Sequence, residues 1–476
     1  MHLRGTVPGM AKSVVVPAAT VASFEHGFDQ IRSENDVPST FPQTVLEAAT
    51  VTASRSIIDE HVDRTELPFV TLDPATSTDL DQAFTIERGS GDALILRYAI
   101  ADVAWFVQRG DALDAEAWRR GVTTYLPDGR ASLYPPSLSE AAVSLLPDGP
   151  RAAVVFVVRV DVDGNAALDG VERAIIRSRA KLGYETASAV DLPKAFEEFA
   201  ARIASAEDRR GASRVEAPEQ EIEPDGAGRY HVAFRPRLSN EDSNAAMSLA
   251  TNLAVADLLL AHRTGLFRVM AEPDERSIKR LRYTAKALGL AWAEAVPLGT
   301  FQRTLDPNLA KHAAFLMAVR RAGGGADYAP FTDGVVPWHA AMAATYCHAT
   351  APLRRLADRY VIEAALACAN GRPVPDHVQA AFTTLPEVMD RAEAQSSRVE
   401  RAVIDLVEAF VLQGSEGRTF EAIVTDVDDR GARIQLTDPA VVARVSAHRV
   451  EPGDALVVRL LSADPAKRTV TFERVS

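Results

Sequence analysis

The sequence predicts an α+β protein in which a mixed or antiparallel β core is surrounded by helices and followed by a small C-terminal β-barrel. Strand-like alternation dominates residues 67–178, and apolar residues at helical spacing dominate residues 240–412. Alternation returns after a glycine-containing joint at residues 414–417. The chain has 476 residues, of which 47% are hydrophobic and 25% are charged, so it is long enough for two or three domains with buried cores.

The N-terminal part of the chain is weakly patterned. Residues 1–40 form an arm in which residues 21–31 are expected to make one short helix. A second helical stretch is expected from Phe41 to Ala53, because Pro42 suits the first turn of a helix. The arm therefore precedes a larger unit that begins near residue 41.

Five apolar runs predict the strands of the β core. They occupy residues 68–72, 83–87, 94–100, 154–160 and 174–178. The first three runs follow one another closely, and a glycine-containing turn separates the second from the third. We therefore expect these three to form a β-meander, with the last two strands added to it.

Helices are predicted to cover the core, and a second β unit to follow them. The helical stretches are residues 246–262, 274–290, 310–321, 353–369 and 386–412. The last 58 or so residues contain five short alternating runs with glycines at the turns. That many strands in so short a segment predict a small antiparallel barrel of the OB type.

Composition restricts the class of protein. The formal charge of −13 argues at face value against a nucleic-acid partner, but net charge describes the outer surface and not a local site. The two cysteines, Cys347 and Cys368, cannot make a disulfide framework or a four-cysteine zinc site, so we expect free thiols in a reducing cytoplasm. No run of about 18 uncharged apolar residues predicts a membrane span, and a monomer is the default expectation.

Three aspartates form the densest chemical signal in the sequence. Asp73, Asp79 and Asp81 lie within nine residues, and the last two share a face if the segment is extended. Oxygen clusters of this kind bind hard divalent cations, which can stabilise both the attacking and the leaving oxygen of a phosphoryl displacement. Aspartates near Pro74 and Ser77 can instead be simple turn-formers. The apolar neighbours favour the metal site, because carboxylates carried on core strands are costly without a cation.

Several segments besides this cluster resemble the ribonuclease II / ribonuclease R family, whose catalytic unit is the RNB domain. The matching segments follow in family order, at residues 67–73, 98–103, 124–127, 135–145 and 346–358. The last of them, containing Thr350-Ala351-Pro352-Leu353-Arg354-Arg355, is similar to the family's Thr-Ser-Pro-Ile-Arg-Arg motif.

The resemblance divides the chain into three parts. Residues 1–40 remain an arm, residues 41–414 would be the catalytic domain with its flanking helices, and residues 418–476 resemble the S1 RNA-binding domain that closes these enzymes. The family usually carries two cold-shock barrels before the catalytic domain. The arm is too short and lacks strand alternation, so we expect no cold-shock domain in it.

The resemblance implies a processive 3′→5′ exoribonuclease. Such an enzyme is hydrolytic and depends on Mg²⁺, with Mn²⁺ as an alternative ion. Water attacks the 3′-terminal phosphodiester in line, and nucleoside 5′-monophosphates are released. The implied partner is RNA that enters by a single-stranded 3′ end, and no membrane partner is implied.

Individual residues inherit expected roles by their match to the family motifs. Asp73, Asp79 and Asp81 should hold the metal and organise the attacking water, with Asp81 at the position most critical for catalysis. Arg354 matches an arginine that grips phosphate near the scissile bond, which suits the two donor edges of a guanidinium.

Three further residues are candidate RNA contacts. Tyr125 and Tyr184 match aromatics near the 3′-terminal nucleotides, where stacking would be tolerant of sequence. Glu400 matches a family glutamate near the active site. The alternatives are a buried structural tyrosine for Tyr125 and a solvated helix face for Glu400. The acidic partner that the family usually pairs with Tyr184 is missing, and Asn244 stands in that region.

One position departs from the family pattern. Gln82 stands where a fourth aspartate is usual, and its amide oxygen could touch a metal but supplies no charge. We expect activity to persist with a higher requirement for Mg²⁺. The departure also supports an alternative, a catalytically weakened RNA-binding or regulatory protein of the same fold. A phosphodiesterase acting on small molecules is a further alternative, which the C-terminal barrel argues against.

Overall fold

A computed structural model describes most of the chain. The described residues are 14–15, 21–57, 60–213, 219–224, 230–235, 238–306, 309–322, 325–428, 431–437, 441–447 and 449–476. The helices are α1 Val21–Glu34, α2 Gln43–Ala53, α3 Val103–Phe106, α4 Ala112–Arg120, α5 Phe196–Arg210, α6 Ser239–Ala261, α7 Glu275–Ala287, α8 Leu298–Gln302, α9 Ala310–Ala322, α10 Leu356–Ala369 and α11 Asp376–Leu412.

The strands form one large sheet, one closed barrel and several small sheets. The strands are β1 Val14–Val15, β2 Val62–Asp63, β3 Phe69–Asp73, β4 Gln82–Arg88, β5 Leu94–Ala101, β6 Thr124–Leu126, β7 Gly129–Ala131, β8 Arg151–Val160, β9 Ala166–Ile176, β10 Ser178–Gly183, β11 Glu219–Pro224, β12 Tyr230–Arg235, β13 Leu266–Val269, β14 Asp327–Pro330, β15 Trp338–His339, β16 Ala344–Thr345, β17 Thr419–Asp428, β18 Gly431–Leu436, β19 Val442–Ser446, β20 Ala455–Asp464 and β21 Thr469–Arg474.

The large sheet has seven strands in the order β10-β3-β4-β5-β8-β9-β2. Its inner strands are antiparallel, as the meander predicted, whereas β10 pairs with β3 and β2 pairs with β9 in parallel. The inner strands are almost continuously buried because helices cover the sheet, and Phe84, Tyr98 and Phe156 lie wholly inside the core. The predicted α+β core is confirmed.

Helix α6 packs through the centre of this core. Met247, Ala250, Val255 and Leu259 are fully buried on it, and the helix contacts α5, α10 and strand β9. By length and composition it is the one helix in the described part of the chain that qualifies as a candidate membrane span. Half of its most apolar stretch is buried inside the protein, which is usual for a core helix.

The arm helix α1 packs against the long helix α11. Phe24 stacks on Phe410 with ring centroids 4.1 Å apart, and Gly27 allows close approach, since a Cβ there would lie 2.6 Å from Leu406 Cδ2. We call the buried apolar residues around this helix pair the arm cluster; its members are Phe24, Phe28, Ile31, Val37, Leu126, Val399, Val403, Leu406, Val407 and Phe410. The predicted helix over residues 21–31 is thus present and extends to Glu34.

Several predicted boundaries were wrong, and helix α6 begins at Ser239 instead of residue 246. Helix α11 begins at Asp376, ten residues before the prediction, and carries Pro386 inside it. Leu385 and Met389 are both buried on either side of the proline, so packing outweighs the single lost backbone hydrogen bond. The strand predicted over residues 174–178 is the end of β9 and the start of β10.

The C-terminal unit is a closed barrel of five strands, as predicted. The order β17-β18-β19-β21-β20, with β19 parallel to β21, is that of an OB fold. Phe420 and Phe472 meet edge to face inside the barrel, 6.1 Å apart, and therefore belong to its core. Helix α11 is joined to the barrel where the Val442 N–H donates to Glu408 Oε1 at 2.8 Å.

Candidate active site

The three sequence-predicted aspartates lie on the connection between β3 and β4. We call residues 73–82 the carboxylate loop. The Ser144 hydroxyl holds the loop from one side, because it donates to Thr78 O at 2.7 Å and accepts from the Leu80 N–H at 2.9 Å. The Leu145 N–H also donates to Leu80 O at 3.0 Å. The segment that ends at Leu145 therefore holds the carboxylate loop in place, although the two lie more than 60 positions apart in the sequence.

Burial differs among the three carboxylates. Asp81 is only 6% exposed, and its Oδ1 accepts a hydrogen bond from the Leu353 N–H at 2.7 Å. Asp73 ends strand β3, and its Oδ2 is buried without a hydrogen-bond partner. Asp79 is partly buried and forms an ion pair with Arg130, 2.5 Å between Oδ1 and Nη1.

The electrostatics of the loop disfavour negative charge. Burial raises the pKa of Asp73 to about 7, an effect that Arg354 opposes and Asp79 reinforces. Burial also raises the pKa of Asp81 well above its usual range, again opposed by Arg354. Buried carboxylates that repel one another gain most from a bound cation.

The donor set fits a hard divalent cation. The unpartnered oxygen of Asp73 and the buried carboxylate of Asp81 supply oxygen ligands of the kind that Mg²⁺ and Mn²⁺ prefer. Within the described ranges, however, no three acidic, histidine or cysteine side chains are already gathered as a metal-binding group. Asp79 Oδ1 accepts from Arg130, so Oδ2 would be the oxygen of this carboxylate that faces the ion.

A second loop brings an arginine to the aspartates. We call residues 349–355 the arginine loop. Asp358, which is 0% exposed in the first turn of α10, accepts from the backbone N–H groups of Thr350 at 3.0 Å and Ala351 at 2.8 Å. Its two oxygens also accept from Arg355, each at 2.9 Å. The loop is therefore fixed by one buried carboxylate.

Arg354 lies beside the carboxylate loop. Its Nε is 3.8 Å from Asp81 Oδ2, and its side chain is 46% exposed. The guanidinium thus keeps solvent access for an anionic ligand while it contacts the site. The two neighbouring arginines differ from it, because Arg355 pairs with Asp358 and Arg359 with the buried Asp114.

Gln82 joins the two loops. Its Nε2 donates to Thr350 O at 2.8 Å, and its Oε1 accepts from the hydroxyl of the buried Tyr98. Thr350 is held in turn by a hydrogen bond between its hydroxyl and that of Ser248, 2.7 Å long. The amide therefore makes two protein contacts that an aspartate at this position could not both reproduce, since a carboxylate cannot donate.

Tyr125 lies on a hairpin formed by β6 and β7, which we call the Tyr125 hairpin. Its ring is 51% exposed, and its hydroxyl is 3.5 Å from Asp79 Oδ2. Tyr125 is thus not fully buried, and its contact with RNA stays a prediction. Arg130 on the second strand of the hairpin reaches the carboxylate loop, and sequence reasoning missed it because an isolated arginine has no diagnostic pattern.

Tyr184 lies next to the first aspartate. It directly follows strand β10, in which Gly183 is paired with Asp73, and its hydroxyl accepts from Asn244 Nδ2 at 2.9 Å. Asn244, which stands in the region where the family has an acid, therefore contacts this tyrosine. Glu400 is an exposed residue of α11 beside the buried Val399, so its RNA contact stays a prediction.

Comparison with known families agrees with this geometry. The model of the RNB domain matches residues 61–367, which contain both loops and the Tyr125 hairpin. The model of the RNase II-type exonuclease C-terminal S1 domain matches residues 418–475, the closed barrel. The chain therefore belongs to the RNB-domain family.

The similar proteins include ribonuclease R from several bacteria. Ribonuclease R of Aquifex aeolicus is 26% identical over 503 residues, and the match covers 94% of this chain and 70% of the relative. The match to ribonuclease R of Thermotoga maritima covers 61% of that protein's length. One similar solved structure is that of Mycoplasma genitalium RNase R in complex with ribose methylated single-stranded RNA. It superposes with a TM-score of 0.85 at 19% identity, covering 95% of this chain and 78% of that one. The superposition shows a shared fold. An inactive exonuclease of Arabidopsis thaliana is 28% identical over 352 residues, covering 66% of this chain and 33% of the relative.

Proposed function

We propose that this chain is a 3′→5′ exoribonuclease that hydrolyses single-stranded RNA to nucleoside 5′-monophosphates. One observation carries the proposal: the buried Asp81 is bonded to the backbone of the arginine loop at Leu353, with Arg354 next to it. This contact joins a carboxylate site suited to a cation and a partly exposed guanidinium suited to a phosphate.

The carboxylates would hold the metal. Asp73, Asp79 and Asp81 are the proposed ligands for Mg²⁺, with Mn²⁺ as an alternative, and the two contacts of Gln82 favour a structural role for that residue. A bound cation would activate water and stabilise the charge that develops on the leaving oxygen. Arg354 would bind non-bridging oxygens of the phosphate and keep the scissile bond beside the carboxylates.

The aromatic residues would position the end of the RNA. Tyr125 is half exposed, and its hydroxyl lies 3.5 Å from Asp79 Oδ2. Tyr184 follows the strand residue that is paired with Asp73. Stacking on such rings accepts any base, as a processive exonuclease requires. Glu400 is the remaining proposed RNA contact, and the S1 barrel would hold upstream RNA.

The cellular setting follows from the thiols. Cys347 and Cys368 are both free and buried, which suits a reducing compartment, so we place the activity in the cytoplasm. We expect the enzyme to act as a monomer.

Incubation of a 5′-labelled 20-nucleotide RNA with the chain tests the proposal. With Mg²⁺ we expect the full-length RNA to be replaced by a short 5′-labelled end product without a ladder of intermediates. Chromatography should detect the unlabelled nucleoside 5′-monophosphates, and no reaction should occur in EDTA. RNA blocked by a 3′-phosphate and an all-DNA oligomer serve as substrate controls. Internal cleavage products, or full activity in EDTA, would refute the assignment.

A second candidate function is RNA binding with little or no turnover. The neutral Gln82 in place of the usual acid favours it, and so does the similarity to an inactive exonuclease. Retention of labelled RNA without shortening, at Mg²⁺ concentrations up to saturation, would support this second function over the first.

Substitution at Gln82 separates the contribution of charge from that of the amide contacts. In Gln82→Asp, we expect the Mg²⁺ concentration for half-maximal rate to fall by about tenfold. An added carboxylate ligand that contributes about 1.4 kcal/mol to metal binding strengthens the affinity by this factor. We also expect a loss of about 1 kcal/mol of stability, because Thr350 O loses its donor.

Gln82→Asn is the matched control, because it has the size of aspartate without the charge. Mg²⁺ titration of the initial rate and thermal unfolding in EDTA measure the two effects for both variants. If the Asp and Asn variants need the same Mg²⁺ concentration, position 82 does not influence the metal.

A further inference from the structure

The Tyr125 hairpin is the part of the site whose attachment the family resemblance leaves unexplained. Tyr125 on β6 is paired directly opposite Arg130 on β7, so both side chains leave the same face of the hairpin. The tyrosine ring is 51% exposed, whereas the arginine is 21% exposed and reaches across to the carboxylate loop. One residue of the pair can therefore meet a ligand while the other holds the hairpin.

Arg130 contacts two separate segments at once. Its Nη1 donates to Asp79 Oδ1 at 2.5 Å, and its Nη2 donates to the Thr78 hydroxyl at 2.8 Å. The same Nη2 lies 2.9 Å from Oε1 of Glu140, which is in the short helical turn Leu138–Ala142. The Thr78 hydroxyl also donates to Glu140 Oε2 at 3.0 Å, so Arg130, Thr78 and Glu140 form a closed network to which Asp79 is attached through Arg130.

The other attachments of the hairpin lie away from the carboxylates. Leu126 is buried in the arm cluster, and Asp128 pairs with Arg32 of α1 at 2.5 Å. At the base of the hairpin, the Thr123 N–H donates to Arg354 O at 3.0 Å. These contacts hold the strand ends and the turn, whereas Arg130 holds the face that carries Tyr125.

We infer that Arg130 is a positioning residue that fixes the distance between the ring of Tyr125 and the carboxylate loop. The inference rests on the proposed function, because this distance would decide which phosphate lies beside Asp79 and Asp81 when the terminal bases stack. A planar guanidinium suits the task, since it bonds several acceptors in a fixed geometry. A lysine could hold Asp79 but could not bridge to Thr78 and Glu140 in the same plane.

Three variants test the inference. Arg130→Gln removes the bridge, Arg130→Lys keeps the charge, and Glu140→Gln weakens the bridge while leaving Arg130 and the three aspartates unchanged. Arg64→Gln is the matched control, because Arg64 makes a two-point ion pair with Glu172 elsewhere on the sheet. Thermal unfolding confirms that each variant is folded.

The first measurement is the size of the product released from 3′-end-labelled RNA, together with kcat and KM. For Arg130→Gln we expect dinucleotides alongside mononucleotides, and a loss of kcat/KM of between about tenfold and 10²-fold, mostly through KM, since small misplacements are costly. Arg130→Lys, which can keep the contact with Asp79 but not the bridge to Thr78 and Glu140, should give a mixture between those of the native chain and Arg130→Gln. Glu140→Gln should also shift the mixture less than Arg130→Gln does.

The second measurement is the affinity for a fluorescent five-nucleotide RNA in EDTA, which needs no turnover. We expect Arg130→Gln to weaken binding several-fold relative to Arg64→Gln. The inference would be overturned if Arg130→Gln released only mononucleotides and had the same KM and RNA affinity as Arg64→Gln, even if its kcat were lower. If Arg130→Gln does not fold, Arg130→Lys and Glu140→Gln decide by the same measurements. If the native chain releases no nucleotide at all, the proposed function fails, and the affinities in EDTA still decide the role of Arg130.

Discussion

Replacement of Asp81 by asparagine is expected to lower the rate of RNA hydrolysis by at least ~10²-fold, the usual cost of removing one charge-stabilising group from an active site. The folded chain should lose little stability and can gain some in the absence of metal. Asparagine Oδ1 can still accept from the Leu353 N–H. The substitution also removes a carboxyl group that is costly to ionise, since burial raises the pKa of Asp81 well above its usual range.

Single-turnover hydrolysis of labelled RNA and thermal unfolding in EDTA measure these two effects. Asp148→Asn is the matched control, because Asp148 is an exposed acid paired with Arg151 and lies outside the site. Hydrolysis within about threefold of the native rate, near the scatter expected of a surface substitution, would remove Asp81 from the catalytic machinery.

The largest effect on stability is expected at Asp358, where replacement by alanine should cost about 3–5 kcal/mol. The substitution would leave the Thr350 and Ala351 N–H groups and the Arg355 guanidinium without their acceptor in a buried environment. Because these groups set the arginine loop, activity should fall together with stability.

Urea unfolding followed by tryptophan fluorescence measures the cost for the catalytic domain. The control is Asp169→Ala, which breaks a partly exposed pair with Arg159 and should change stability by less than about 1 kcal/mol. If the two variants unfold at the same urea concentration, Asp358 does not anchor the loop.

Local patterns were sufficient for most of the fold. Short apolar runs identified β3, β4 and β5, which are buried almost throughout because helices cover the sheet. Alternation identified the barrel strands, in which buried positions alternate with positions that face solvent. Helix α11 was predicted too short, since a proline usually begins a helix and only tertiary packing at Leu385 and Met389 reveals that it lies inside one. The parallel pairing of β10 with β3 joins residues more than 100 positions apart, and no local pattern specifies it.

The candidate site was predictable only where one segment concentrates its chemistry. Asp73, Asp79 and Asp81 lie within nine residues and were visible directly, whereas the place of Arg354 beside them came from family resemblance. Arg130 and Asp358 were missed as parts of the site because their partners are set by the tertiary fold and by loop geometry. A charged residue alone is equally compatible with a solvated surface.

The stacking of Phe24 on Phe410 has a consequence for biosynthesis. The two rings are nearly 400 positions apart in the chain, so the arm helix leaves the ribosome long before its partner exists. At usual translation rates of about 5–20 residues per second, the apolar face of α1 would wait roughly 20–80 s for α11. During that interval the nascent chain exposes Phe24, Phe28 and Ile31, and this segment is where we expect a chaperone to bind until the last catalytic helix is made.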